Sequence, residues 1–254
     1  MTIARDTWIV FSRAMRLSLR QPVWVVFGLL QPILYLALFG PLLETIADTR
    51  AFGEDVDAWQ IFVPGLLVQL GLFGASFVGF GLIAEWRAGV IERMRVTPAS
   101  RASLLLGRVM RDVIVLLVQG TMLVLVALLF GLRAPWWAMV VGVATVALLG
   151  ACFASLSYAI ALTLKSEDSF APLLNGVALP LLLLSGILLP MSLAPRWLEL
   201  LSDINPLKHV VDGVRAMFRG ELTDPVALWG VGITVALVAV GLAIGTRVFR
   251  RESA

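Results

Sequence analysis

Residues 134–164 read APWWAMVVGVATVALLGACFASLSYAIALTL, 31 positions without a single Asp, Glu, Lys or Arg. A helix needs about 20 apolar residues to cross the hydrocarbon core of a bilayer. Inside that core the backbone must satisfy its own hydrogen bonds, which leaves helices or closed barrels. Barrel strands are shorter and alternate in polarity, and this run does neither. On either side of it, further charge-free runs cover 21–43, 58–84, 113–132, 169–195 and 225–246, with lengths of 23, 27, 20, 27 and 22 residues. Hydrophobic residues make up 59% of the 254-residue chain and charged ones only 15%, against roughly 25% in an ordinary soluble domain. The chain therefore reads as an all-α integral membrane protein. One transmembrane domain covers 1–254, with six transmembrane helices expected at 21–43, 59–84, 105–132, 135–164, 169–190 and 225–247. The first run is too long for the apolar core of a signal peptide, and no small-x-small cleavage site follows it.

Six crossings put both termini on one side. With the termini in the cytoplasm, 14 of the 20 Lys and Arg residues fall inside, as the positive-inside bias requires. The net charge of +3 then follows from topology, and no nucleic-acid partner is needed to explain it. The single cysteine, Cys152, excludes an intrachain disulfide and reads as a small buried hydrophobe. The lone histidine, His209, cannot build a metal cluster, and no His/Cys/carboxylate spacing suited to a metal occurs. No Gly-x-x-x-x-Gly-Lys-Ser/Thr loop is present, so the chain does not itself bind ATP in that manner. Acids and bases are missing from the charge-free runs, which argues against a membrane enzyme or an ion-coupled carrier, since these place titrating groups in the membrane.

Residues 1–20 carry Arg5, Arg13, Arg16 and Arg20 within about 80° of one another at 100° per residue. Trp8, Phe11, Met15 and Leu19 cluster on a different sector, which predicts an interfacial amphipathic helix; the plainer alternative is a solvated basic tail. Residues 85–101 form a charged cytoplasmic segment. In it Trp86, Val90 and Met94 recur at helical spacing, Glu85, Arg87, Glu92, Arg93 and Arg95 fill the rest, and Pro98 stops the helix. The run 169–195 holds Pro172, Pro180, Pro190 and Pro195, with Ser185-Gly186 before Pro190. That composition predicts a broken or re-entrant fifth span, whose irregular backbone must be buried in protein or line a cavity. Residues 191–220 follow as extracellular surface helices, one opening on Asn205 as N-cap and Pro206 at the first turn. Small residues at Gly71, Ala75 and Gly79, and at Gly241 and Gly245, predict close helix packing. The polar residues within the runs are neutral. Gln31, Gln69 and Asn175 are candidate path-lining residues, and the plainer reading is hydrogen bonding between helices.

These features together resemble the membrane subunit of ABC type-2 exporters of the drug-resistance and lipid-export kind. The resemblance is carried by the amphipathic helix before span one and by EWRAGVIERMRVTP at 85–98, continued by Arg101 and Gly107-Arg108. It extends to SGILLP at 185–190, Pro195-Arg196-Trp197-Leu198, Asn205-Pro206-Leu207 and 212–215. It implies a subunit of the bacterial inner (plasma) membrane, paired with a second copy or a close paralogue. Two separate ATP-binding subunits would carry ATP and Mg. Glu85, Arg87, Glu92, Arg93 and Arg95 would couple to the ATPase, with Arg13, Arg16 and Arg20 of the interfacial helix resting nearby; the plainer reading of these charges is that they only set topology. Gly186, Pro190, Asn205 and Pro206 would belong to an outer gate region. The implied function is export of a hydrophobic or amphipathic drug, antibiotic or lipid. The alternatives are a polysaccharide or glycolipid exporter of the same fold, or a non-ABC carrier or scaffold.

Overall fold

Apolar runs this long, with no donor or acceptor to spare in lipid, fold as helices because each residue then pairs its own backbone. The computed structural model describes residues 3–20, 23–47, 57–91, 100–188 and 191–252. Its helices are α1 (Ile3–Arg20), α2 (Val23–Ala47), α3 (Ala58–Ser76), α4 (Val78–Arg87), α5 (Arg101–Leu129), α6 (Trp136–Leu164), α7 (Glu167–Leu183), α8 (Arg196–Asp203), α9 (Pro206–Phe218) and α10 (Pro225–Glu252), with a 3-10 turn at Met191–Leu193. Among the described residues there is no strand. Side-chain caps start three of them: Asp57 accepts from the Trp59 N–H, Ser100 from Ser103 and Asn205 from Leu207. Lys165, with φ 53°, closes α6 in the left-handed conformation.

Five helical stretches among the described residues are long and apolar enough to cross a membrane: Val25–Leu42, Ala58–Arg87, Arg101–Leu129, Trp136–Leu164 and Pro225–Arg251. The sequence predicts six. The remaining candidate, 169–190, is occupied by the 17-residue α7, which opens on Glu167 and Asp168. Its chain runs helically through Pro172 and Pro180. The helix ends and the chain turns at Ser185-Gly186, between Pro180 and Pro190, where Gly186 takes φ +71°, a conformation costly for any residue with a Cβ.

The helix α6 is the axle of the bundle and packs against α3, α4, α5, α7, α9 and α10. Both stripes of small residues lie on it. A Cβ at Gly71 would come 2.9 Å from Val146, one at Gly241 2.8 Å from the Cys152 sulfur, and one at Gly245 3.2 Å from Ser155. Without a hydrophobic driving force between helices in lipid, such backbone proximity is what dispersion and polar contacts need.

Between α3 and α4 the helical ladder is interrupted at Phe77. The Ser157 hydroxyl of α6 fills the gap: it donates to the Ser76 carbonyl at 2.5 Å and accepts from the Gly79 N–H at 3.0 Å. An inserted side chain is a known cause of such breaks. Ser157→Ala leaves a buried donor and acceptor unmet, at about 1–3 kcal/mol. A thermal unfolding midpoint unchanged in detergent would show that the two groups find other partners.

Two expectations are corrected here. The helix predicted from Glu85 onward is interrupted by a turn at Ala88-Gly89, Gly89 taking φ +68°, so Trp86 and Val90 do not share one helical face. The helix α9, expected on the surface with a polar side, is enclosed by α3, α6 and α10. Its residues from Gly213 to Phe218 are all buried, Arg215 included.

Candidate functional site

Polar side chains converge at two places, one at each end of the bundle. The first lies where α4 ends, α5 begins and α6 finishes. The last residues of α4 are each tied to a different helix. The Arg108 guanidinium of α5 donates to the Glu85 carboxylate at 2.5 Å. The Lys165 ammonium at the end of α6 lies 5.8 Å from the centre of the Trp86 ring, within reach of a cation–π attraction. The Arg87 guanidinium donates to Glu167 of α7 at 3.1 Å.

These ties differ in strength. Arg87 and Glu167 are both about half exposed, and such pairs contribute roughly 0–1 kcal/mol. Arg108 is 7% exposed and sits beside a deeper group. One turn further along α5, Asp112 is 3% exposed, and it accepts from the Tyr158 hydroxyl of α6 at 2.6 Å. Arg111 flanks it, 3.0 Å from its carboxylate, and donates to Tyr158 at 3.5 Å. The cluster pairs two cations, Arg108 and Arg111, with two anions, Glu85 and Asp112. The span expected at 105–132 takes in Arg108, Arg111 and Asp112, although the charge-free run begins only at Val113, and the helix starts at Arg101 and carries all three. A buried acid therefore stands in a helix apolar enough to span, where the charge-free runs hold none.

Of the predicted coupling residues, Glu85 and Arg87 belong to this junction; Glu92, Arg93 and Arg95 lie outside the described residues. Arg13, Arg16 and Arg20 are exposed on α1.

The second junction is at the opposite end. Arg215 of α9 is 4% exposed. Its guanidinium donates to the backbone carbonyls of Ile61 at 3.0 Å, Gly186 at 2.7 Å and Ile187 at 3.3 Å. The carbonyls at 186 and 187 lost helical partners when α7 broke, and Arg215 supplies the donors. Gly65 makes room, since a Cβ there would stand 2.2 Å from the Ile187 oxygen. Asn205 caps α9 and also donates to the Leu181 carbonyl at 2.8 Å, in the last turn of α7. Gly186 and Asn205 thus meet at one junction, with Pro206 as the first residue of α9; Pro190 lies outside the described residues. Burial lowers the Arg215 guanidinium to about 10, with Asp212 opposing the shift, so it stays charged at neutral pH. Burial likewise raises the Asp212 carboxyl above its ordinary value, against the pull of Arg215. The Lys208 ammonium, hydrogen-bonded to Asp203, holds that carboxyl below the usual range.

The candidate path residues do not converge. Gln31 and Asn175 are exposed, each bonded within its own helix, to Tyr35 and to the Ala171 carbonyl. Gln69 is 2% exposed, inside the bundle on α3, which packs against both α2 and α7. Nearby Phe73, Phe77 and Phe80 form a ladder of rings with centres 6.0 and 6.1 Å apart, Phe77 being exposed.

The model of the ABC-2 type transporter family matches residues 5–218, from α1 through both junctions to the end of α9. The chain belongs to the ABC-2 type transporter family. This ABC-2 permease is 27% identical over 249 residues to the daunorubicin resistance ABC transporter permease protein DrrB1 of Streptomyces coeruleorubidus, covering 95% of this chain and 85% of the relative. It is 27% identical over 216 residues to the transport permease ycf38 of Cyanophora paradoxa, covering 84% and 74%. With nodulation protein J of Rhizobium leguminosarum bv. viciae it shares 24% identity over 232 residues, covering 90% and 87%. The ABC-2 permease components are not themselves enzymes, and the family implies partnership with ATP-binding subunits.

Proposed function

We propose that this chain is the membrane subunit of an ATP-driven exporter that carries a hydrophobic or amphipathic solute, a drug, antibiotic or lipid, out of a bacterial cell across its inner membrane. The observation that carries this reading is the family match over 5–218 together with the similarity, along 95% of the chain, to a permease named for daunorubicin resistance. Two copies, or one copy and a paralogue, pair in the bilayer above two ATPase subunits that hold ATP and Mg. The basic end, with α1 and the last turn of α4, is cytoplasmic, and so are both termini. The segment 85–101, with Glu85, Arg87, Glu92, Arg93 and Arg95, meets the ATPase. Movement there reaches α5, α6 and α7 through the ties of Glu85, Trp86 and Arg87.

The sixth crossing is made by α7. Seventeen residues cover about 25 Å, short of a core of about 30 Å, and the turn that follows, buried at 185–187, supplies the remainder. The helices α8 and α9 then fold back at the outer face around Gly186, Pro190, Asn205 and Pro206 and form the gate region, with Gln31, Gln69 and Asn175 as candidate path residues.

The test is ATPase activity of the reconstituted complex with a panel of apolar drugs, lipids and glycans. Several-fold stimulation by apolar compounds is expected. Stimulation by glycans alone would move the reading to a polysaccharide or glycolipid exporter, and full-rate transport by this chain without ATP would sink it.

A further inference from the structure

We infer that the exposed arginine stripe of α1 is a binding surface for anionic phospholipid headgroups of the cytoplasmic leaflet, a reading that takes its orientation from the proposed function. The helix has three faces where the sequence shows two. One is docked on α5. Phe11 and Asp6 are buried there, a Cβ at Gly107 would stand 2.7 Å from Val10 and 2.8 Å from the Thr7 carbonyl, and Ser103 donates to the Ile3 carbonyl at 3.3 Å. The second face is apolar and uncovered: Trp8 is 61% and Leu19 73% exposed. The third carries Arg5, Arg13, Arg16 and Arg20, all exposed. The one acid of α1, Asp6, points into the docked face at 4% exposure, so nothing on this helix neutralises the stripe.

The placement is fixed from both sides. Helix α1 ends at Arg20 and the apolar α2 begins at Val23, so the end of α1 is held at the bilayer boundary. Its docked face rests on the first turns of α5, another spanning helix. At 100° per residue the arginine sector lies about 90° from Trp8 and Leu19. With the apolar sector in the acyl region, the guanidinium groups come level with lipid phosphates, whose oxygens match their forked donors. An anionic phospholipid offers an acyl chain to Trp8 and a phosphate to the stripe in one molecule.

The test uses the full chain in phosphatidylcholine nanodiscs containing spin-labelled phosphatidylglycerol or spin-labelled phosphatidylcholine, read as the motionally restricted fraction of each label. Wild type is expected to prefer phosphatidylglycerol several-fold. Each arginine near an anionic surface contributes about 1 kcal/mol, about fivefold, so the triple variant Arg13→Gln, Arg16→Gln, Arg20→Gln loses most of that preference. The corresponding triple Lys variant keeps it, which separates charge from folding. No preference in wild type, or an unaltered preference in the Gln variant, overturns the inference. A Gln variant that keeps its lipid preference but no longer retains the ATPase makes the stripe a protein-docking surface and overturns it too. The lipid measurement needs neither ATP nor transport, so a failure of the exporter reading would show separately.

Discussion

Replacing Asp112 by alanine is expected to destabilise the chain by about 3–5 kcal/mol, the usual cost of removing one partner from a buried ion pair. The carboxylate is 3% exposed and faces Arg111 at 3.0 Å and the Tyr158 hydroxyl at 2.6 Å. Without it, Arg111 loses its nearest counter-ion, and Tyr158 loses its acceptor. Tyr158→Phe removes one hydroxyl and should cost about 1–2 kcal/mol. The thermal unfolding midpoint in detergent orders the variants: wild type above Tyr158→Phe above Asp112→Ala. An Asp112→Ala protein as stable as wild type would mean that Arg111 swings out to water and that the cluster holds little of the fold. Under the proposed function, the milder variant is the informative one in the reconstituted complex. Tyr158→Phe should lower transport per ATP hydrolysed more than it lowers basal hydrolysis, because α6 loses a tie to α5 while the ATPase is untouched.

Arg215→Met is expected to have a comparable effect at the other end. Three carbonyls, of Ile61, Gly186 and Ile187, lose their guanidinium donors, and unmet buried acceptors cost about 1–3 kcal/mol each. Arg215→Lys offers a compact ammonium in place of a planar fork and should recover only part of the loss. The readouts are the unfolding midpoint and the reactivity of a cysteine placed at Ile187, in a Cys152→Ser background, towards a membrane-impermeant thiol reagent. That position is fully buried in wild type and should become reactive in Arg215→Met. Protection unchanged in the Met variant would show that packing against Gly65, without Arg215, seals the turn.

Much of this was legible in the order of residues. The charge-free runs located the spanning helices, the Asn205-Pro206 pair located the start of α9, and the spacing of Gly71, Gly79, Gly241 and Gly245 announced close packing, although not that all four approach α6. The two polar junctions were harder. Arg215 shares a stripe with Lys208, Asp212 and Arg219, and periodicity alone assigns that stripe to solvent. Only the carbonyls freed 29 residues earlier at Gly186 explain why one member turns inward. Asp112 lay within the expected span 105–132, but a count of charge-free runs starts after it and so does not show that it is buried and paired with Tyr158 and Arg111. The prolines did not say which residue would turn. A proline removes one hydrogen bond, but lipid makes abandoning a helix costlier than tolerating that loss, and the chain yields only at a glycine whose freed groups Arg215 and Ser185 can serve.

The ties at the end of α4 have one further consequence. Glu85, Trp86 and Arg87 are neighbours in the chain, yet each holds a different helix. Such an attachment is partly redundant: the tie of Trp86 or of Arg87 can be cut while the others carry the load. Single-residue scans along 85–87 would then report tolerance at Trp86 and Arg87 and a larger loss at Glu85, whose partner Arg108 is buried, and combined substitutions, compared with the sum of their parts, would expose the segment as indispensable. Selection acting one residue at a time would see the same tolerance at Trp86 and Arg87, leaving the identity of those two anchors free to drift while the threefold attachment persists.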